Sequence, residues 1–366
     1  MSELDNARKE INEIDKEMAK LFERRMRAAE KIAEYKKENG LSILDETREA
    51  ILIKNNSEII EDDTLREYYI DFLKDTMKVS RAYQSRLING IKVAYCGVPG
   101  AYAQIAAKKM FPEGETKPFD DFVTAYKSVE NGENDVAVLP IENSFAGDVG
   151  TVMDLIFSGS LYVNQVIDLS IEHHLMAVNG ASMKTIKTVV SHPQALAQCG
   201  EFLRKNGFKT EEMANTAIAA EYVKEKNDPS IAAIASEETA KIYGLNILES
   251  RINTNANNTT RFASFTRSMH KSMSAKGKMN EHFILTFTVK NEAGALAKTL
   301  DIIGAHGYNM RNLRSRPMKE LMWSYYFYIE AEGNIHTEDG QDMLRELGAT
   351  CDKLRLAGTY YASDIK

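Results

Sequence analysis

Three regimes of hydrophobic patterning follow one another along the chain. The first runs to about Asn89 and has helical spacing. Between Leu4 and Glu38 the apolar positions Ile11, Ile14, Met18, Leu21, Phe22, Met26, Ala29, Ile32 and Ala33 recur three and four apart, and no Gly or Pro interrupts them before Gly40. The spacing predicts a single helix of roughly 50 Å. That is far longer than a compact domain of this size needs, so the helix is expected to pack against a partner along its whole length. Two shorter helices follow it.

From Ile91 the pattern changes to alternating strands and helices. IKVAYCG, DVAVLPIE, IKTVVSH, SIAAIAS and RFASFTR read as strands, and LYVNQVIDLSIEHHLMAV as two extended segments. AYAQIAAKKMF, VGTVMDLIF, PQALAQCGEFLRKN, TAIAAEYVKEK and ETAKIYG read as helices. Such alternation predicts α/β subdomains with largely parallel sheets. Residues Ser268–Asn280, rich in Ser, Lys and Met, read as a linker. From Glu281 the order becomes strand, helix, strand, strand, helix, strand, a ferredoxin-like βαββαβ arrangement.

Composition narrows the classes. A chain of 366 residues suggests two or three domains. A net charge of −7 argues against nonspecific nucleic-acid binding, though local cationic sites for small anions remain open. Cys96, Cys199 and Cys351 stand in no metal or disulfide spacing. The polar start MSELDNARKE and the lack of any membrane-length apolar run lead us to expect a cytoplasmic protein, neither secreted nor membrane-bound.

The helical regime carries a charged set: Arg8, Arg25, Lys36, Asp45, Arg48, Glu49, Ser80 and Gln84. Arg25 and Lys36 lie about three turns apart on one helix face, their Cα atoms roughly 16 Å apart. Two long cations reaching toward each other suit one small anion. Arg8 points elsewhere on the same helix and would serve such a site across an interface, from another chain. Asp45, Arg48 and Glu49 share a face, as do Ser80 and Gln84. Taken singly, each is most simply a solvated surface charge or an i,i+4 partner. As a set they resemble the all-helical chorismate mutase family over Ser2–Arg86. That resemblance implies an interlocked dimer in which Arg25 and another chain's Arg8 clamp the carboxylates of chorismate. It also implies that Lys36 and Gln84 donate to the ether oxygen and Glu49 accepts from the substrate hydroxyl, with Asp45, Arg48 and Ser80 orienting the pocket. The residue types fit a Claisen rearrangement. It needs no nucleophile, only a held conformation and stabilised charge on the ether oxygen.

In the second regime, ligand-binding loops are expected at strand-to-helix junctions. Val98–Tyr102, Pro140–Ser144, Ser191–Gln194 with Gln198, and Asn215–Thr216 all fall there. Ser191, Asn143 and Thr216 are equally suited to capping helices. His192 precedes Pro193 and reads as structural more readily than as a general acid. The segments PIENS, SHPQALAQC, YGLNIL and Asn258–Phe262 together resemble prephenate dehydratase over about Ile91–Arg267. The resemblance implies two α/β subdomains around a cleft, like a small-molecule binding protein. It implies Thr260 as the main catalytic hydroxyl, poised by neighbours or relaying a proton from water. Glu142, Asn143, Ser144, Ser191, Gln198, Thr216 and Phe262 would join it, and Arg261 would bind a carboxylate or form a structural salt bridge. Ala101-Tyr102-Ala103-Gln104 and Ala217-Ile218 depart from the family pattern, removing hydroxyl and imidazole groups expected in the cleft.

In the third regime, Gly294-Ala295-Leu296 and Asn312 to Arg314-Ser315-Arg316-Pro317 resemble the phenylalanine-binding motifs of ACT domains. Gly294 would admit a ligand to the helix N-terminus, or serve only as a turn. Arg314 stands where the family usually has Glu. The resemblances together imply a multidomain chain. An all-α mutase (1–89) precedes a two-subdomain, periplasmic-binding-like α/β dehydratase (90–267). A linker (268–280) leads to an α+β, ferredoxin-like ACT domain (281–366). Chorismate and prephenate would be its substrates, L-phenylalanine its effector, and a homo-oligomer (dimer or tetramer) its assembly, with no metal or organic cofactor. The alternatives are an arogenate-preferring dehydratase, a noncatalytic amino-acid sensor, and a live mutase joined to an impaired dehydratase.

Overall fold

The computed structural model describes residues 2–255, 257–269, 281–318 and 324–361. Most of the expected linker therefore lies outside the described residues. The chain divides into two compact units, Met1–Lys92 and Val93–Lys366.

The first unit is three helices: α1 (Glu3–Glu38), α2 (Glu46–Ser57) and α3 (Asp63–Asn89). Local chemistry sets their ends. Ser2 and Asp5 form a capping box at the start of α1, and Lys36 and Lys37 meet the negative end of its dipole. Asp45 and Asp62 cap α2 and α3. Ala29 and Ala33 of α1 are buried, as are Leu73, Met77, Ser80 and Gln84 of α3. Within one chain the apolar stripe of α1 is only partly covered. Ile11, Ile14, Met18 and Leu21 remain 43–61 % exposed within one chain.

The second unit begins with a lobe of β1 (Lys92–Cys96), α4 (Tyr102–Met110), β2 (Glu115–Phe119), α5 (Phe122–Glu130), β3 (Val136–Asn143), β4 (Gly147–Asp148), α6 (Gly150–Ser158) and β5 (Tyr162–Ser170). A second lobe holds β6 (His174–Ala177), β7 (Thr188–Ser191), α7 (Pro193–Gln198), α8 (Gly200–Asn206), β8 (Lys209–Glu212), α9 (Thr216–Lys226), β9 (Ile231–Ala235), α10 (Glu237–Tyr243) and β10 (Asn246–Glu249). The chain then returns to the first lobe as β11 (Thr259–Thr266) and ends as β12 (Glu281–Thr288), α11 (Ala295–Ala305), β13 (Asn309–Pro317), β14 (Tyr325–Glu332), α12 (Glu338–Thr350) and β15 (Lys353–Tyr361). The helix expected over PQALAQCGEFLRKN is two helices, broken at Cys199.

The sheets are mixed rather than largely parallel. The second lobe has the order β10-β6-β9-β7-β8, with β6 antiparallel to both neighbours. In the first lobe β11 inserts antiparallel between β5 and β3. The C-terminal strands have the order β13-β14-β12-β15, the ferredoxin-like arrangement, and β15 continues into β5. At that seam a Cβ on Gly358 would sit 2.1 Å from the Val163 carbonyl oxygen, so only glycine fits. Ile284, Tyr328, Ala357 and Tyr360 share one core with Ala94, Leu139, Val163 and Phe265. The C-terminal segment is thus packed into the first lobe.

A buried ion pair pins the two together. Arg261 of β11 forks onto Glu330 of β14 (2.9 and 3.0 Å), and Tyr360 bonds both. Burial opposes both charges, yet each is held ionised by the other: Arg261 is pushed up and Glu330 down. Glu330→Ala is expected to destabilise the unit by about 3 kcal/mol at neutral pH, because it removes the forked partner of a half-buried guanidinium and leaves as counter-ions only Asp168 at 3.4 Å and Glu142 at 3.7 Å. Because Glu330 titrates below its ordinary value of 4.5, its contribution is present above that pH and lost as the pH falls through the lower folded value. The difference in unfolding free energy between wild type and variant, followed by denaturant melts from neutral to acid pH, should close in that acid window.

Candidate functional site

A cavity of about 730 Å³ opens between the two lobes of the second unit. Val98, Ala101, Tyr102, Pro140 and Asn143 line it from one side, and His173, His192, Gln194, Gln198, Asn215 and Thr216 from the other. Thr260 and Phe262 of β11 form part of its wall. The lobes meet through Gly100, whose carbonyl accepts from Thr239 (2.9 Å). Its φ of +91° and the 2.9 Å approach of the Thr239 hydroxyl to a hypothetical Cβ require glycine.

Register brings the central pair together. Thr260 on β11 lies opposite Asn143 on β3, and the Asn143 Nδ2 donates to Thr260 Oγ1 at 2.9 Å. Asn143 Oδ1 accepts from the backbone N–H groups of Phe145 and Ala146 (3.0 and 2.9 Å), which fixes the amide. Thr260 therefore accepts on the protein side. Among the described residues no acceptor takes its hydrogen, which is left for a ligand in the cavity. Asn215 caps α9, turning the positive end of that helix and Thr216 toward the same space.

Several expected site residues stand elsewhere. Strand alternation turns Glu142 and Arg261 to the face opposite Asn143 and Thr260. There Arg261 binds Glu330, the salt-bridge alternative rather than a ligand carboxylate, and Glu142 pairs with Arg314 at 2.6 Å. Arg314 also binds Asp148. Ser191 is fully buried and donates to the Ile234 carbonyl at 2.7 Å, outside the cavity wall. Ser144 bridges Asn257 and Thr259 beside a smaller cavity. His192 caps α7 through Nδ1, as its position before Pro193 implied, and burial lowers its pKa. Gln104 lies away from the cleft, holding Gly100 N–H at 2.8 Å and Thr116. Its departure from the family pattern thus removes nothing from the cavity wall. Gln194, expected in a ligand loop, lines the cavity, whereas His173 and Asn258 were not among the expected site residues. Asn258 was quoted within a motif, but His173 carried no local signal that separated it from His174.

In the C-terminal part, Gly294 opens α11 with φ +85° and Leu296 borders a cavity of about 520 Å³ with Tyr325 and Phe327. Asn312, Ser315 and Pro317 lie on the edge strand β13. Asn312 accepts from Arg314, and Arg316 binds Asp154 of α6 at 3.2 Å. Arg314 and Arg316 thus grip the first lobe rather than the neighbourhood of Gly294.

In the helical unit, Arg25 has a buried guanidinium nitrogen and Gln84 a buried carbonyl oxygen with no hydrogen-bond partner among the described residues. Lys36 Nζ donates to the Ile43 carbonyl at 2.6 Å. Ser80 and Gln84 contact each other at 3.4 Å. Glu49 is engaged by Arg81, a cation that the sequence reading did not single out. Asp45 is occupied as the cap of α2, while Arg8 and Arg48 are exposed.

The chorismate mutase type II family matches residues 7–85, and the prephenate dehydratase family residues 93–270. A bifunctional chorismate mutase/prephenate dehydratase of Buchnera aphidicola is 31 % identical over 98 % of this chain and 96 % of its own. Arogenate dehydratase/prephenate dehydratase 2 of Arabidopsis thaliana is 35 % identical, covering 74 % of this chain and 72 % of its own. The structure of prephenate dehydratase from Arthrobacter aurescens in complex with L-Phe superposes with a TM-score of 0.69 and 26 % identity, covering 75 % of this chain and 91 % of the other.

Asn143→Asp keeps the acceptor for Phe145 and Ala146 but sets a carboxylate oxygen against Thr260, drawing its hydrogen away from the cavity. We expect prephenate turnover to fall about a hundredfold or more, with some loss of stability because the new oxygen also faces Asn258 Oδ1. Steady-state assays beside thermal unfolding check this.

Proposed function

The chain belongs to the family of bifunctional chorismate mutase/prephenate dehydratases, and we propose from that premise which residues carry each reaction and how the second is regulated. Its two activities convert chorismate to prephenate, and prephenate to phenylpyruvate, carbon dioxide and water. We assign the mutase to residues 1–89, the dehydratase to 90–267 and an ACT-type regulatory domain to 281–366, joined by 268–280, in a cytoplasmic homo-oligomer.

For the mutase, Arg25 and Lys36 hold the dianion, with Arg8 of a second copy closing the clamp. Two observations support this. The exposed Ile11–Leu21 stripe of α1 needs an apolar cover, and a second copy supplies one. The buried, unpartnered nitrogen of Arg25 and oxygen of Gln84 are costly without a polar ligand. Lys36 and Gln84 would then meet the ether oxygen as charge builds there. In this arrangement Arg81 sets the orientation of Glu49.

For the dehydratase, the observation that carries the reading is the Asn143–Thr260 hydrogen bond inside the cavity. Thr260 gives its hydrogen to the leaving hydroxyl as the bond to the ring carboxylate breaks. That electron pair becomes the new ring double bond, carbon dioxide and water depart, and Thr260 recovers a proton from solvent. The N-terminus of α9 with Thr216 receives the side-chain carboxylate. Glu142, Ser191 and Arg261 act behind the strands rather than on substrate.

For regulation, L-phenylalanine would bind between Gly294–Leu296 of one copy and the Asn312–Pro317 strand of another. The bonds from Arg314 to Glu142, next to Asn143, give such binding a route to the cleft. Arogenate remains a second substrate reading, favoured by the Arabidopsis relative and by Ala103 in the cavity wall.

Lys36→Ala should lower chorismate consumption about a hundredfold or more while leaving dehydration of added prephenate intact. Thr260→Ala should do the reverse, by about a hundredfold or more. Loss of both activities in either variant would contradict separate sites. Phenylpyruvate formation measured with and without L-phenylalanine should show suppression by the amino acid. Activity that phenylalanine leaves unchanged would remove the effector reading, and parallel assays on prephenate and arogenate rank the substrates.

A further inference from the structure

The polarity that leaves the Thr260 hydrogen free can be traced outward, group by group. The Asn143 amide cannot flip, because backbone N–H groups occupy its oxygen and have no alternative orientation. Its nitrogen therefore also faces Asn258 Oδ1 at 3.0 Å. Asn258 is thereby fixed and presents Nδ2 to Gln198 Oε1 at 2.9 Å. The same Gln198 oxygen lies 2.8 Å from His173 Nε2. An amide oxygen that close to a ring nitrogen requires a hydrogen between them. The other ring nitrogen is 3.5 Å from the Tyr102 hydroxyl, whose hydrogen goes to the Glu172 carbonyl at 2.6 Å.

We propose that His173 is a positioning residue for Thr260: as the neutral Nε2–H tautomer it anchors a relay through Gln198, Asn258 and Asn143 that directs the Thr260 hydrogen into the cleft. The inference rests on the dehydratase reading of that cleft. His173 never needs to touch the reacting atoms. Each amide in the chain has two orientations, and only one set gives every contact from Thr260 to His173 Nε2 a donor and an acceptor, while the 3.5 Å approach of Nδ1 to Tyr102 carries no hydrogen. Burial lowers the imidazole pKa and keeps the ring neutral. With its oxygen doubly occupied, Gln198 has only its NH₂ group left to offer the cavity it lines. A leucine at 173 would leave the Gln198 oxygen short of a donor. Gln198 and Asn258 could then shift, loosening the positional hold on Asn143 while its backbone partners keep its polarity.

The test uses the full chain. His173→Leu is expected to lower kcat for prephenate about tenfold or more with KM changed less than about threefold, because donor alignment matters most in the transition state. His173→Gln, which supplies a side-chain N–H of similar reach, should restore most of the loss. Thermal unfolding of the same samples, beside mutase activity, reports that both units are folded. The ring tautomer is read directly from nitrogen and carbon shifts of histidine-labelled wild type, with His173→Gln identifying the signal among seven histidines. Nε2–H supports the relay. An Nδ1–H or charged ring, a wild-type kcat in His173→Leu, or equal damage in both variants overturns it. Wild type that makes no phenylpyruvate breaks the dehydratase reading instead. The tautomer, measured independently of turnover, separates those two failures.

Discussion

Strand β11 constrains the rest of the second unit. It returns from the second lobe, enters the first lobe's sheet antiparallel between β3 and β5, and cannot slip by one residue without exchanging its faces. In this register Thr260 faces the cleft and Arg261 faces Glu330. A cavity-lining hydroxyl and a structural cation thus occupy adjacent positions, and each fixes the other's orientation. The cost of burying the Arg261–Glu330 pair is offset by the fork geometry and by Tyr360, which completes the set of partners.

The same strand explains why the C-terminal segment is a neighbour of the chemistry rather than a distant appendage. Its sheet continues into the first lobe at Gly358 and Val163, and its side chains join the same core. Arg314 and Arg316 extend that contact to Glu142, Asp148 and Asp154. Glu142 sits beside Asn143 in β3, so a shift of β13 would be felt one residue from the Thr260 hydrogen bond. Coupling of this kind needs no long path, only a strand whose two faces serve two purposes.

The helical unit has a different logic. Its helix ends are capped locally, but its long helix leaves an apolar stripe uncovered within a single chain. Burying two alanines against α3 allows close helix approach but removes little apolar surface from water. Much of the apolar surface of α1 is therefore exposed within a single chain.

Much was legible from local pattern. Helical and alternating periodicities marked nearly every long element, because the side-chain period follows from backbone geometry alone. The βαββαβ order and the cavity positions of Asn143, Gln198, Thr216, Thr260 and Phe262 were likewise accessible from motifs. What the sequence could not decide was which face each residue takes and what it meets there. Glu142 and Arg261 lie in the most distinctive motifs, yet strand alternation turns them away from the cleft. Ser191 spends its hydroxyl on a backbone carbonyl. Gln104 braces a turn, and Arg314 finds a carboxylate across the sheet. His173, Asn258 and Arg81 gained their meaning only from partners between 25 and 115 residues away. Periodicity is a local property of the backbone, whereas hydrogen-bond partners and ion pairs are chosen by contacts that form only when distant strands come into register.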